Sequence, residues 1–161
     1  MSVAAELGYR IEAGEMADLP DVMVAMGDAF DPEYGEAWTE AQCAGVLGMP
    51  GCWLLLARDG DTPVGFAMLR SVVDEAELLL IAVRPRYRRR GVAAALLSQA
   101  AEHARGVGID TLHLEVRDGN PALDLYRAAG FLQVGRRSAY YRGRTGKVFD
   151  ALTFKRHLAA D

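Results

Sequence analysis

Five of the seven residues from Arg84 to Arg90 are arginines, and Gly91-Val92-Ala93-Ala94 follow them directly. Arginine's planar fork matches a pair of phosphate oxygens. The first turn of a helix leaves backbone N–H groups unpartnered and carries the positive end of the helix dipole. Gly91 and Ala93 keep bulk away from those groups, so phosphate oxygens can reach the backbone. The run Arg84–Ala94 therefore holds the ingredients of a diphosphate site, if a strand ends before it and a helix begins within it. Two further segments carry groups suited to proton transfer. Glu115 and His113 alternate with Leu112, Leu114 and Val116, so both polar residues share one face of a strand. A carboxylate on a central strand must find partners or protonate, and burial raises its pKa toward the range useful to a base. An ordinary half-exposed strand carboxylate fits the same pattern. His113 is the rival base, because imidazole titrates near neutrality. Tyr126 supplies a phenol that can donate a proton, or a helix side chain packed in the core.

Other chemistries lack their residues. The stretch Gly143-Arg144-Thr145-Gly146-Lys147-Val148 has neither the spacing nor the hydroxyl of a nucleotide-binding P-loop, and Gly106-Val107-Gly108 follows a helix rather than a strand. Cys43 and Cys52 form no CxxC pair, and His103, His113 and His157 have no second ligand at helical spacing, so no metal is expected. Two thiols in such a chain fit a reduced, cytoplasmic compartment. The longest apolar runs are about six residues, as in Leu78–Val83, against about 20 for a membrane span. The start of the chain, Met1-Ser2-Val3-Ala4-Ala5-Glu6, lacks the basic and apolar regions of a secretory leader.

Charge is unevenly divided. Residues 1–83 hold 15 acids and 3 bases, a net of −12; residues 84–161 hold 7 acids and 15 bases, a net of +8; the whole chain is at −4. The basic half could meet a phosphorylated cofactor or a polyanion and the acidic half a cationic substrate, or both sets of charges could simply be solvated. The acidic half and the lack of aromatics interleaved through a longer basic stretch argue against nucleic acid.

These groups need elements to position them. At 161 residues, with 51% hydrophobic and 25% charged, the chain reads as one globular domain, residues 1–161. A strand is expected at Tyr9–Ala13, and helices at Met16–Phe30 and Trp38–Leu47, the latter with Thr39 as N-cap. Strands Cys52–Arg58 and Pro63–Val73 form a hairpin across Asp59-Gly60-Asp61-Thr62. Ala76–Val83 reads as a strand buried on both faces. A helix over Gly91–Arg105, a strand at Thr111–Arg117 and a helix over Pro121–Ala129 closed by Gly130 follow. Phe131–Tyr141 and Val148–His157 end the chain as an antiparallel pair. The central strand–helix–strand crossover, with hairpins on either side, implies a mixed sheet with helices packed on it.

The run Arg88-Arg89-Arg90-Gly91-Val92-Ala93 resembles the (Q/R)-x-x-G-x-(G/A) acyl-CoA loop of the GNAT N-acetyltransferase superfamily. Within it the chain is most similar to the bacterial ribosomal-protein alanine N-terminal acetyltransferases, the RimI type. The similarity takes in Asp74-Glu75-Ala76-Glu77, Ile81-Ala82-Val83, Leu114-Glu115-Val116-Arg117, Asn120, Leu125-Tyr126, Ala129-Gly130-Phe131 and Arg136–Tyr141, roughly residues 74–155.

The resemblance implies an α/β fold with a mostly antiparallel sheet of about seven strands, a splayed parallel pair at its centre and about four flanking helices. It implies acetyl-CoA as co-substrate and a protein or peptide N-terminus as acceptor, in the favoured case the N-terminal alanine of a ribosomal protein. Cofactor contacts would come from Ile81, Ala82 and Val83 backbone groups, from Arg88, Arg89, Arg90, Gly91, Val92, Ala93 and Ala94, and from Asn120. Glu115 would be the general base and Tyr126 the general acid. Trp38, His113, Tyr140 and Tyr141 would line the acceptor side. A small-amine acceptor (polyamine, amino acid or aminoglycoside) and a non-catalytic acyl-CoA-binding module are the alternatives.

Overall fold

The computed structural model describes residues 8–158. Residues 1–7, on which the expectation about a leader falls, lie outside the described residues, as do 159–161. Seven strands form one sheet: β1 (Arg10–Gly14), β2 (Cys52–Asp59), β3 (Thr62–Val72), β4 (Glu75–Val83), β5 (Thr111–Arg117), β6 (Leu132–Arg142) and β7 (Val148–His157). Their order is β1-β2-β3-β4-β5-β7-β6, and only β4 and β5 run parallel. The helices are α1 (Leu19–Ala29), α2 (Glu40–Leu47), α3 (Val92–Gly106) and α4 (Leu123–Ala128). Among the described residues no helix is long and apolar enough to cross a membrane.

Two apolar layers sandwich the sheet. On one side α3 and α4 bury Leu96, Leu97 and Tyr126 with Leu112, Leu114 and Phe154. On the other, α1 and α2 bury Val22, Met26 and Cys43 with Leu56, Phe66 and Met68. The crossover from β4 to its parallel neighbour β5 is made by α3, as parallel pairing requires.

Local chemistry sets the element ends. Thr39 caps α2 through a reciprocal box: its hydroxyl accepts from the Gln42 N–H at 3.2 Å, and the Gln42 side chain accepts from the Thr39 N–H at 2.8 Å. The expected helix Met16–Phe30 divides into a 3-10 turn at Met16–Asp18 and α1. Pro20 is the reason, since its ring opposes a helical carbonyl four residues earlier. The expected helix Pro121–Ala129 is shorter, because the Asn120 side chain accepts from the Ala122 N–H at 2.8 Å and holds that stretch as a turn.

The central strand departs from uniform two-sided burial. A bulge interrupts its pairing with β3, where Leu69 faces Leu78 but Met68 faces Leu80. Leu79 is the extra residue, and the alternation changes sides there. Ala76 and Leu78 pack in the α3 layer, whereas Leu80 and Ala82 pack in the α1 layer.

Candidate active site

The bulge also opens the sheet. β4 and β5 pair from Glu75↔Thr111 to Leu78↔Leu114, and no further. Beyond that point β4 stays with β3 as far as Val83, and β5 stays with β7 as far as Arg117. The strands diverge, and the edges of Leu79–Val83 and Glu115–Arg117 face a shared cavity of about 720 Å³. Of the residues expected at the site, Ile81, Ala82 and Val83 line it from β4, and Arg88, Arg89, Gly91, Val92, Ala93 and Ala94 line it where the chain enters α3. Glu115, Asn120 and Tyr126 line the β5–α4 wall, with Trp38, Tyr140 and Tyr141 at the remaining end. Arg90 and His113 do not line the cavity. His113 pairs in register with Glu77 and Lys155, in the closed part of the sheet.

At the entry to α3, Gly91 sits at the N-cap with φ 77°, and no side chain caps the helix. The first intrahelical bond runs from the Ala95 N–H to the Gly91 carbonyl at 3.0 Å. The N–H groups of Val92, Ala93 and Ala94 thus have no carbonyl one turn back, and they border the cavity. Arg89 also takes a left-handed conformation, φ 63°, which costs a non-glycine residue roughly 1–2 kcal/mol. Such strain persists where surrounding structure imposes it, often at a binding loop.

The arginines divide their work. Arg88 donates to the Val83 carbonyl at 3.2 Å and to the Ala29 carbonyl at 3.0 Å, tying the end of β4 to the end of α1. Arg84 bonds Asp28 at 2.9 Å and the Pro63 carbonyl at 2.9 Å. Arg86 and Arg90 lie over the Tyr87 ring, 5.4 and 5.7 Å from its centroid. Arg89 is the exposed arginine of the run that borders the cavity without such a tie. The donor set fits a diphosphate, with backbone N–H groups as the cradle and Arg89 as a guanidinium beside it.

The Glu115 side chain is only 9% exposed, yet it is well partnered. Thr153 donates to Oε2 at 2.8 Å, and Arg137 lies 3.0 Å from Oε1. Thr153 is its cross-strand neighbour on β7. The Tyr141 hydroxyl donates to the Glu115 carbonyl at 3.3 Å. The side chain is therefore buried with a partner at each carboxylate oxygen. Burial pushes the Tyr126 phenol well above its ordinary value, and the Glu36 charge adds to the push. That phenol stays protonated at neutral pH, as a proton donor must. Burial and Glu36, with smaller contributions from Tyr140, Glu115 and Tyr126, likewise raise Tyr141.

Among the cavity residues that stand outside the sequence expectations for the site are Glu36, Arg117 and Tyr34. Arg117 pairs with Glu36 at 3.3 Å, and its guanidinium lies 3.7 Å from the Tyr34 ring centroid. Asn120 donates to Glu36 Oε2 at 2.8 Å. Both ends of the Asn120 amide are thus engaged with protein. Arg117 stands inside the Leu114–Arg117 match, but Glu36 and Tyr34 lie in a stretch between α1 and α2 with no periodic pattern. Among the described residues no cluster of His, Cys, Asp and Glu is placed to hold a metal ion.

A mixed sheet splayed beside an uncapped, arginine-flanked helix start is the α/β arrangement that the sequence resemblance implies. The profile of the Acetyltransferase (GNAT) family matches residues 19–131. The chain is 37% identical over 138 residues to the N-alpha-acetyltransferase RimI of Mycobacterium tuberculosis, covering 83% of this chain and 80% of that one. It is 36% identical over 111 residues to the [ribosomal protein bS18]-alanine N-acetyltransferase of Escherichia coli, 68% of this chain and 74% of the other. The crystal structure of the ribosomal-protein-S18-alanine N-acetyltransferase from Escherichia coli superposes with a TM-score of 0.84, at 30% identity over 95% of this chain and 96% of that one. The chain belongs to the GNAT acetyltransferase family and is homologous to its RimI and bS18-alanine acetyltransferase members.

Proposed function

We propose that this protein transfers an acetyl group from acetyl-CoA to the α-amine of a protein N-terminus, with the N-terminal alanine of a ribosomal protein as the favoured acceptor. The observation that carries the reading is the single cavity that joins a diphosphate cradle, an open strand edge, a buried carboxylate and a buried phenol. The names of the E. coli and M. tuberculosis relatives support the acceptor class. Bound acetyl-CoA supplies an activated thioester, so no covalent enzyme intermediate is required.

Each residue group then has a task. The N–H groups of Val92, Ala93 and Ala94, with Arg89, hold the diphosphate. The free edge of Ile81–Val83 offers main-chain groups to the pantetheine arm, and N–H groups there meet the charge developing on the carbonyl oxygen. Glu115 takes the proton from the attacking amine as the N–C bond forms. Tyr126 gives its proton to the sulfur as the C–S bond breaks. The products are an amide and free thiol, and the two residues exchange one proton with solvent to return to their starting states.

The test is thiol release from acetyl-CoA with peptides beginning in Ala, Ser or Met, beside spermidine and free amino acids. Turnover concentrated on peptides beginning with Ala is the expected result. Turnover confined to small amines would reassign the acceptor. Tight acetyl-CoA binding without turnover on any amine would make the protein a binding module.

A further inference from the structure

Glu36 lies outside every regular element, and its side chain is only 11% exposed. A buried carboxylate is costly unless it is paired and hydrogen-bonded, and Glu36 is both. Its Oε1 meets Arg117, and its Oε2 accepts from Asn120. Asn120 then accepts from the Ala122 N–H through Oδ1, and the Ala122 carbonyl accepts from the Tyr126 N–H at 3.1 Å. An unbroken chain of hydrogen bonds runs from Glu36 to the backbone of Tyr126. It matters because α4 has only six residues and no side-chain cap on its first N–H groups. So short a helix does not hold itself in place.

The Glu36 end of the chain is itself fixed. The preceding turn, Pro32–Tyr34, interlocks with the loop between β6 and β7. A Cβ at Gly35 would collide with the Arg142 carbonyl oxygen, and one at Gly143 with the Glu33 carbonyl oxygen. The Arg144 N–H donates to the Pro32 carbonyl at 3.1 Å. Tyr34 packs edge-on against Phe149, with centroids 5.3 Å apart, and Arg117 stacks on Tyr34.

Resting on the acetyl-transfer reading above, we propose that Glu36 is a positioning residue: by bridging Arg117 and Asn120 it fixes the turn that launches α4, and so holds the Tyr126 hydroxyl against the cavity. The loop between α1 and α2 thereby sets the geometry of the proton donor.

The experiment compares Glu36→Ala and Glu36→Gln, each with Tyr126 intact and with Tyr126→Phe. Glu36→Ala lowers kcat roughly 10- to 100-fold, the scale of a small misplacement at a reacting group, with KM for acetyl-CoA within about twofold because the α3 cradle is untouched. Glu36→Gln keeps an acceptor for Asn120 and recovers most of that loss. In the Tyr126→Phe background Glu36→Ala costs little more, since the group it positions is gone. A second measurement needs no turnover: the tyrosinate absorbance of Tyr126, taken as the difference from Tyr126→Phe. Its cavity also holds Asp31, Tyr34, Glu77, Tyr87, Arg88, Arg89, Glu115, Arg117, Tyr140 and Tyr141, and Glu36 is the charge that adds to burial in raising Tyr126. Removing Glu36 lowers the titration midpoint, because a negative charge is lost and Arg117 is left unpaired. Full additivity of the two substitutions, or an unmoved phenol titration, would overturn the proposal. If the wild-type chain turns over no amine at all, the acetyl-transfer reading fails by itself, and an unmoved phenol titration still overturns the placement of Glu36 beside Tyr126.

Discussion

Glu115 and Tyr126 line the same β5–α4 wall of one cavity, in different surroundings. Glu115 is met by Arg137 and Thr153, contacts that suit an accepting carboxylate. Tyr126 is held as a neutral phenol by burial and by the Glu36 charge. Glu115→Gln and Tyr126→Phe should each cut kcat, by roughly 100-fold or more for the base, with acetyl-CoA binding nearly unchanged. Steady-state rates beside calorimetric binding would check this. Both variants at full speed would show that other groups move the protons. Arg89 belongs to the other end of the cavity. Arg89→Ala should raise KM for acetyl-CoA several-fold and leave kcat close to wild type, because a diphosphate contact is shared by ground and transition states.

At the scale of elements, the site depends on a strand that changes layers and on a helix that starts without a cap. The β4 bulge at Leu79 turns the strand away from β5, and the open wedge is what the cavity fills. The α3 start keeps its N–H groups free because neither Gly91 nor any side chain closes them. The opposite arrangement holds at α2, where Thr39 and Gln42 satisfy each other. Thr39→Ala should therefore lower stability by about 1 kcal/mol with little change in acetyl-CoA affinity, read by denaturant melts and by titration. A large loss of affinity would mean that α2 helps build the cofactor end.

Across the whole molecule, the division of charge is partly consumed inside the fold. Arg84 pairs with Asp28 and Arg117 with Glu36, so arginines of the basic half fasten acids of the other half, the second pair at the cavity. Arg58 gathers Glu12, Asp18 and Asp21 within the acidic half. The buried phenols give the molecule an alkaline weakness. Tyr126 and Tyr141 are both held well above the ordinary phenol value of about 10. Above about pH 10 the unfolded chain gives up protons that the folded chain keeps, so stability falls as pH rises. Melting temperature should decline from pH 9 to about 11, and less steeply in Tyr126→Phe. Parallel profiles for the two proteins would remove Tyr126 from the account.

How much of this was legible before folding follows from the range of the forces involved. Alternation, caps and turn residues act over a few positions, so strands β5 and β7, the Thr39 cap and the arginine-flanked start of α3 could be read directly. The pairing of a basic, small-residue run with a helix start is also local, and it pointed to residues that line one end of the cavity. Only the tertiary structure decided the rest. The Leu79 bulge shows itself in the register with β3, not in the residues of β4. The partners of Glu115 come from β6 and β7, so its burial did not act alone. Arg90 and His113 carry suitable chemistry but lie away from the cavity. Glu36 became part of the site because a loop without periodicity was pinned to residues 81 and 84 positions away. Side-chain type and spacing along the chain determine local geometry and potential chemistry; which groups meet, and what charge each one sees, depends on contacts between segments far apart in sequence.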